Sequence, residues 1–270
     1  MKTIVFATDF SKGSRKAAET AAQIAIKTKA KLVLFHAFRY IIPYDSEISM
    51  LTVSSKELEN ASIKKLKRLK DKLLAIYPDE KKIEIQTREG LVVDALEQIL
   101  AETEADLLVM GSVGDSPIGT KYFVSVSSTM INHSKVPMLL VPPKTKFSMY
   151  RNAILGLDFN FDIDTQILDK IIDFLRDLDV SVDLFTCADD SEYTEKAALK
   201  IREKLVHIPH TFTIYKDKEF SKSVLAIAKN SHADLIITLP KKHNFFERLF
   251  VESNTQRLVL NDKLPILMVI

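Results

Sequence analysis

The sequence predicts an α/β protein built as two tandem, open, doubly wound domains, each with a five-stranded parallel sheet. Three observations predict this. Short apolar segments recur in the same order in both halves of the chain. The stretches between them carry helical periodicity. The strand-like runs are apolar on both faces, the pattern of strands covered by helices on both sides.

The repeat comes first, because it sets the frame for every element. Ile4 to Phe10 (IVFATDF) pairs with Ile154 to Phe159 (ILGLDF), and Lys31 to Ala37 (KLVLFHA) with Ser181 to Cys187 (SVDLFTC). Ala105 to Met110 (ADLLVM) pairs with Ala233 to Thr238 (ADLIIT), and Lys135 to Val141 (KVPMLLV) with Lys263 to Val269 (KLPILMV). The first two pairs are offset by 149 and 150 residues and the last two by 128. The second half is therefore shorter in its middle, and the stretch Arg39 to Val53 is where the deletion is expected. The join falls at Pro142-Pro143-Lys144-Thr145-Lys146, a polar segment with two prolines. Domains are expected at 1–143 and 150–270.

In the first half, strands are expected near 2–7, 31–37, 82–87, 106–111 and 136–141. Helices are expected near 13–28, 54–76, 91–103 and 122–133. Ala17, Ala21, Ile24 and Ala25 recur at helical spacing. Ser54 with Glu57 three residues later opens the second helix as a capping box, and Pro78 closes it. The second half repeats the scheme, with strands near 152–157, 181–186, 210–215, 233–238 and 265–269. Right-handed crossovers turn such an alternation into an open parallel sheet. The last strand of each half, 136–141 and 265–269, is then a sheet edge, and apolar edges invite pairing. The chain is expected to pair these two edges within itself as an internal pseudo-dimer, with a homodimer as the further partner reading.

Composition excludes several classes. The 270 residues include one Cys and no Trp, so neither an internal disulfide nor a zinc site of four cysteines can form. Lys plus Arg number 38 and Asp plus Glu 36, a net charge of +2. That balance points to neither nucleic acid nor a membrane surface. No apolar run approaches the roughly 18 residues a bilayer span needs, and the start, MKTIVFATDFSKGSRK, is too weakly apolar for a signal peptide. A cytoplasmic protein is the default expectation.

In an open parallel sheet, ligands bind outside the carboxyl ends of the strands. Those ends carry Thr8, Asp9 and Phe10, then His36, Ala37 and Phe38, then the loop Gly111-Ser112-Val113-Gly114-Asp115-Ser116-Pro117-Ile118-Gly119-Thr120. Only six glycines occur in the chain and three sit in these ten residues. A glycine loop between a strand and a helix lets backbone N–H groups approach an anion, with the helix N-terminus adding positive potential. Phosphate is the guest this suggests. The other reading is that Gly111 and Gly114 supply turn dihedrals.

The element order, the ATDFS run after the first strand, and the G-x-x-G loop followed by a helix and a proline-containing last strand resemble the universal stress protein family. The likeness covers nearly the whole chain as two copies. It implies the adenine nucleotide α-hydrolase-like, Rossmann-like fold, a regulatory role in stress response, and an adenine nucleotide, ATP or a relative, as ligand. ATP-binding members carry G-x2-G-x9-G-[ST]. Gly111 and Gly114 match the first two glycines and Ser125 the hydroxyl, while Val124 replaces the third glycine. By the same resemblance Asp9 faces the nucleoside, and Thr8 and Ala37 line the adenine pocket through backbone and packing. Val124 puts a branched side chain where backbone should approach phosphate, and Asp115 adds negative charge beside a polyanion. A weakened nucleotide site in the first half is therefore expected.

The second half has no such cradle. Counting back from Pro265, Leu239 and Lys242 replace the loop glycines, Glu252 the third, and only Ser253 matches. Lys241, Lys242 and Arg248 read as a solvated basic loop, with a side-chain route to an anion as the other reading. Phe245, Phe246 and Phe250 read as packing in the vacated pocket. The six histidines show no zinc spacing, Ser125 lies on no nucleophile elbow, and no general base is apparent. No metal and no catalytic residue are expected. An interaction scaffold with both pockets degenerate is the alternative function, and a slow ATPase the third. Lys56 to Lys72 forms a highly charged helix whose apolar positions Leu58, Ile63, Leu66, Leu69 and Leu73 share one face. Its charges read as a solvated face, with a basic partner-binding face as the other reading. The long 39–53 connection is a candidate lid over the first pocket or a partner contact.

Overall fold

The computed structural model describes residues 1–40, 54–78, 82–112, 126, 129–130, 133–146, 150–157, 164–187, 192–215, 220–239 and 264–270. The first half contains β1 (Thr3–Ala7), α1 (Ser14–Thr28), β2 (Lys31–Phe38), α2 (Ser55–Ile76), β3 (Ile83–Glu89), α3 (Val92–Glu102), β4 (Leu107–Gly111) and β5 (Met138–Val141). The second contains β6 (Asn152–Leu157), α4 (Thr165–Leu178), β7 (Ser181–Cys187), α5 (Glu192–Lys204), β8 (His210–Tyr215), α6 (Phe220–Asn230), β9 (Leu235–Thr238) and β10 (Ile266–Met268). Every strand read from the sequence is present. Most of the helix expected near 122–133 lies outside the described residues.

The ten strands form one sheet in the order β3-β2-β1-β4-β5-β10-β9-β6-β7-β8. Each half is parallel throughout. The halves meet where β5 and β10 run antiparallel, with Leu140, Leu139 and Met138 opposite Ile266, Leu267 and Met268. The two expected edges are thus joined, and two five-stranded sheets become one. Burial makes this join favourable: all six paired residues are buried.

Alternation along the strands sends side chains into two cores. Ile4, Phe6, Leu32, Leu34, Leu107 and Val109 face one side, where they meet α1, α2, α4 and α5. Val5, Val33, Phe35, Leu108 and Met110 face the other, where they meet α3 and α6. Helix α1 buries Ala17, Ala18, Ala21, Ala22 and Ala25, and these small side chains allow its backbone to lie close to the sheet. Helix α2 begins with the full capping box: Ser54 accepts from the Glu57 N–H and Glu57 accepts from the Ser54 N–H. It ends at Ile76, with Tyr77 as its C-cap, one residue before Pro78.

The deletion in the second half is spread more widely than the sequence suggests. The connection at residues 39–54 shrinks to 188–191, but α2 has 22 residues where its counterpart α5 has 13. Arg39 to Val53 therefore accounts for only part of it, and two to three helical turns account for most of the rest.

Candidate functional site

The chain lays down β1, β2 and β3 in one direction, then returns to place β4 on the other flank of β1. The strand order reverses between β1 and β4, which is where open α/β sheets form their binding crevice. The crevice of the first half is therefore bounded by Thr8 and Asp9 beyond β1 and by Gly111 and Ser112 at the end of β4.

Thr8 is buried, and its hydroxyl lies 3.1 Å from the Ser14 hydroxyl at the start of α1. The Thr8 oxygen also accepts the Phe10 N–H at 2.9 Å. Thr8 continues the Ile4–Phe6 face, so its side chain belongs to the strand-to-helix joint. Asp9 is exposed, and its carboxylate oxygen accepts the Ser11 N–H at 2.9 Å. The Ser11 hydroxyl in turn accepts the Ser14 N–H at 3.1 Å, which ties this turn to the start of α1. Asp9 is thus fixed in direction by its own turn. Phe10 follows with φ 64°, a left-handed conformation costly for a bulky residue.

That conformation brings the Phe10 ring to 4.4 Å from the His36 ring, and the Lys65 ammonium of α2 lies 5.2 Å from the Phe10 centroid. His36 Nδ1 is 2.7 Å from the Thr8 carbonyl oxygen. A carbonyl only accepts, so Nδ1 carries the proton and donates. Burial pushes the His36 pKa below 6.5, helped by Lys65 and opposed by the Thr8 hydrogen bond and Asp9. Ala37, the next residue of β2, is half-buried and packs on the α3 side of the sheet.

Gly111 ends β4, and its φ lies outside the left-handed range. It therefore supplies no turn dihedral. A Cβ there would meet the Ser14 Cα at 3.1 Å and the Gly13 carbonyl oxygen at 3.4 Å. The close approach of the α1 N-terminus favours glycine here, since a Cβ would fit only if that backbone gave way by a few tenths of an ångström. Ser112 follows, buried, with a hydroxyl that has no hydrogen-bond partner among the described residues. Gly114, Asp115, Gly119, Val124 and Ser125 lie outside the described residues, as do residues 41–53. The structure brings Thr8, Asp9, Ala37 and Gly111 to the strand ends of one crevice. Sequence reasoning missed Ser14 and placed Ser112 in the loop without singling it out; the Ser11-x-x-Ser14 spacing and the alternation beyond Gly111 were the available signals.

The second half ends its central strands differently. Leu239 occupies the place that follows from Gly111 by the repeat, and its side chain packs against the core. Asp158, Phe159 and residues 240–263 lie outside the described residues. Among the described residues no group of three or more His, Cys, Asp and Glu side chains is placed to hold a metal ion. Nor is any helix among them long and apolar enough to cross a membrane.

Comparison with known proteins places this architecture. A universal stress protein of Mycobacterium tuberculosis is 34% identical over 145 residues, spanning 52% of this chain and 95% of the relative. A universal stress protein solved in complex with cAMP is 31% identical, covering 52% of this chain and 96% of its own, with a TM-score of 0.41. Over 99% of this chain and 97% of the other, the crystal structure of a universal stress protein from Archaeoglobus fulgidus matches with a TM-score of 0.71 at 16% identity, which shows a shared fold. The family model described as universal stress protein family matches residues 1–142. On that match the chain belongs to the universal stress protein family.

Proposed function

We propose that the first half binds an adenine nucleotide, ATP or a relative of it, in the crevice between β1 and β4, and that the protein acts as a cytoplasmic stress-response regulator rather than an enzyme. The observation that carries this reading is the unpartnered Ser112 hydroxyl, buried at the strand-order switch beside Gly111 and across from the exposed Asp9. A buried hydroxyl without a partner costs on the order of 1–3 kcal/mol, and a polar ligand in the crevice would offset that cost. That unpartnered hydroxyl at the crevice supports a polar ligand there. In this reading Asp9 takes the ribose, Ala37 lines the base pocket and the Thr8 backbone borders it. Gly111, Gly114 and Ser125 follow the phosphates. The binding unit is the domain at 1–143. The domain at 150–270, with Leu239 in place of the first loop glycine, contributes no nucleotide site.

Isothermal titration of the full chain with ATP, ADP and cAMP tests this. The cyclic nucleotide is included because one similar universal stress protein was solved with it. Heat from a single site per chain, lost on Asp9→Ala, supports the reading. Silence at millimolar concentrations of all three overturns it. Val124 and Asp115 favour a second reading, a nucleotide-independent scaffold, and that silence is the outcome it expects.

A further inference from the structure

The join of the halves leaves two outer edges on the ten-stranded sheet, β3 and β8, and they are built differently. On β3, Glu84, Arg88 and Glu89 supply charge, and the Lys70 ammonium of α2 donates to the Ile83 carbonyl at 2.6 Å. Charges and lysines along an edge keep other strands from pairing with it. The β8 segment reads His-Thr-Phe-Thr-Ile-Tyr and contains no Asp, Glu, Lys or Arg. Its backbone is aligned for pairing. The Val182 N–H donates to the Pro209 carbonyl at 3.0 Å, and Val182 lies opposite His210. In this parallel ladder Thr211, Thr213 and Tyr215 therefore bond to β7. The residues between them, His210 and Ile214 included, turn their N–H and C=O away from it.

Helix α5 adds apolar surface beside this edge. Its Lys204 reaches inward to Asp169 of α4 at 2.9 Å. Leu199 stands about 140° round the helix from Lys204, on the flank away from α4, and is 50% exposed. Val206, just past the end of the helix, is 68% exposed. Glu195 and Arg202, both exposed, lie four residues before Leu199 and three after it, on the same flank. A helix rises about 1.5 Å per residue and a strand about 3.3 Å. Leu199 and the middle of β8 therefore both lie about 9–10 Å from the turn that joins the two elements.

We propose that β8 pairs antiparallel with β8 of a second copy of this chain, with α5 packed against α5 of that copy. Three features of this edge fit its own image about a two-fold axis. The run Thr211-Phe212-Thr213 reads the same in both directions, so pairing about its centre sets threonine opposite threonine. Leu199 lies at the height of that axis and meets its equivalent. Glu195 and Arg202 straddle the axis, so each Arg202 faces the Glu195 of the other copy. The chain already contains such an arrangement. β5 and β10 pair antiparallel, and their join brings α1 beside α4, where the Lys27 ammonium donates to the Leu178 carbonyl. That join occupies both last strands and leaves β8 as the uncharged edge. One strand and one helix flank make a small interface, so a micromolar dimer is expected.

Sedimentation equilibrium of the full chain from about 1 µM to about 200 µM tests this. The average mass should rise from monomer to dimer and stop there, because an interface of equivalent faces closes on itself. Arg202→Glu and Glu195→Arg each set like charges across the axis and should weaken the dimer about tenfold. E195R/R202E exchanges the two signs and should restore it, which pairing of equivalent faces requires. Ile214→Pro removes an N–H directed away from β7, a change that an edge strand tolerates. It should abolish the dimer and leave the circular dichroism spectrum unchanged. Ile76→Glu, at an exposed apolar residue of α2, should change nothing. The proposal is overturned if the chain stays monomeric across the range, if it grows past a dimer, if Arg202→Glu and Ile214→Pro assemble as the parent does, or if E195R/R202E fails to recover. A monomeric chain that binds a synthetic HTFTIY peptide would assign the edge to a foreign strand, and overturns it too.

Discussion

The Cβ that Gly111 lacks would stand 3.1 Å from the Cα of Ser14. One glycine at the end of β4 thereby bears on how closely the first helix approaches the crevice between β1 and β4. Its neighbour there is backbone, which cannot rotate aside. Gly111→Ala should cost about 1–3 kcal/mol in urea unfolding, in the range of overpacked sites, and Gly111→Val should cost more. Both should also weaken any nucleotide titration, because Asp9 and Ser112 are positioned across this joint. Unchanged stability in both variants would show that α1 can retreat.

Leu139 and Leu267 face each other across the antiparallel join of the halves, both fully buried. Leu267→Ala should lose about 2–5 kcal/mol, as large-to-small core changes do. Leu139→Ala should behave similarly, and the double variant should lose less than the sum because the pair shares one cavity. Removing residues 265–270 leaves β5 and β9 as apolar edges. Light scattering should then rise, and a well-behaved monomer would contradict the join.

His36 makes stability depend on pH in a definite direction. Its folded pKa lies below 6.5, chiefly because it is buried, with Lys65 adding to the shift and the Thr8 bond and Asp9 opposing it. Between the folded value and 6.5 the unfolded chain binds more protons, so stability rises with pH there. The contribution is complete above the unfolded pKa and is lost as pH falls through the window. Urea midpoints of the parent should drop on acidification from pH 7 through pH 6. His36→Asn keeps an N–H for the Thr8 carbonyl and cannot titrate, so its curve should be flatter by the His36 share. Parallel curves would exclude His36 as the cause.

Much of this architecture is legible in the sequence, for physical reasons. Strands buried on both faces must be apolar throughout, so runs such as LVLF and LLVM stand out. The ADL pair is a second example: the Asp106 carboxylate accepts the Thr3 N–H at 2.9 Å, and Asp234 accepts the Arg151 N–H at 2.8 Å. The duplicated aspartate holds the same neighbouring strand in both halves, so it recurs at the same offset. Other features arise only in three dimensions. No local pattern says that Thr8 turns toward Ser14 while Asp9 remains exposed, because alternation breaks at a strand end. The reason for Gly111 depends on a helix nearly one hundred residues away.

The scarcity of glycine has a structural counterpart that makes the last prediction. Lys29 and Asp179 stand at left-handed φ of 57° and 53° where α1 and α4 end. Glu104 and His232 do the same, at 46° and 50°, after α3 and α6. The repeat pairs Lys29 with Asp179 and Glu104 with His232, so each half ends two helices in this way without the glycine that usually occupies such a cap. All four side chains are exposed. A left-handed non-glycine residue costs about 1–2 kcal/mol, part of which glycine returns through its greater freedom in the unfolded chain. Each single change to Gly at 29, 104, 179 or 232 should therefore stabilise by roughly 0.5–1 kcal/mol, read as a higher urea midpoint at unchanged slope. The four sites are separate, so the gains should add. A loss at any one would mean that its side chain makes a contact worth more than the strain. Lys29 is the sharpest case, since its backbone carbonyl accepts the Lys82 ammonium at 3.1 Å and Lys29→Gly leaves that bond in place.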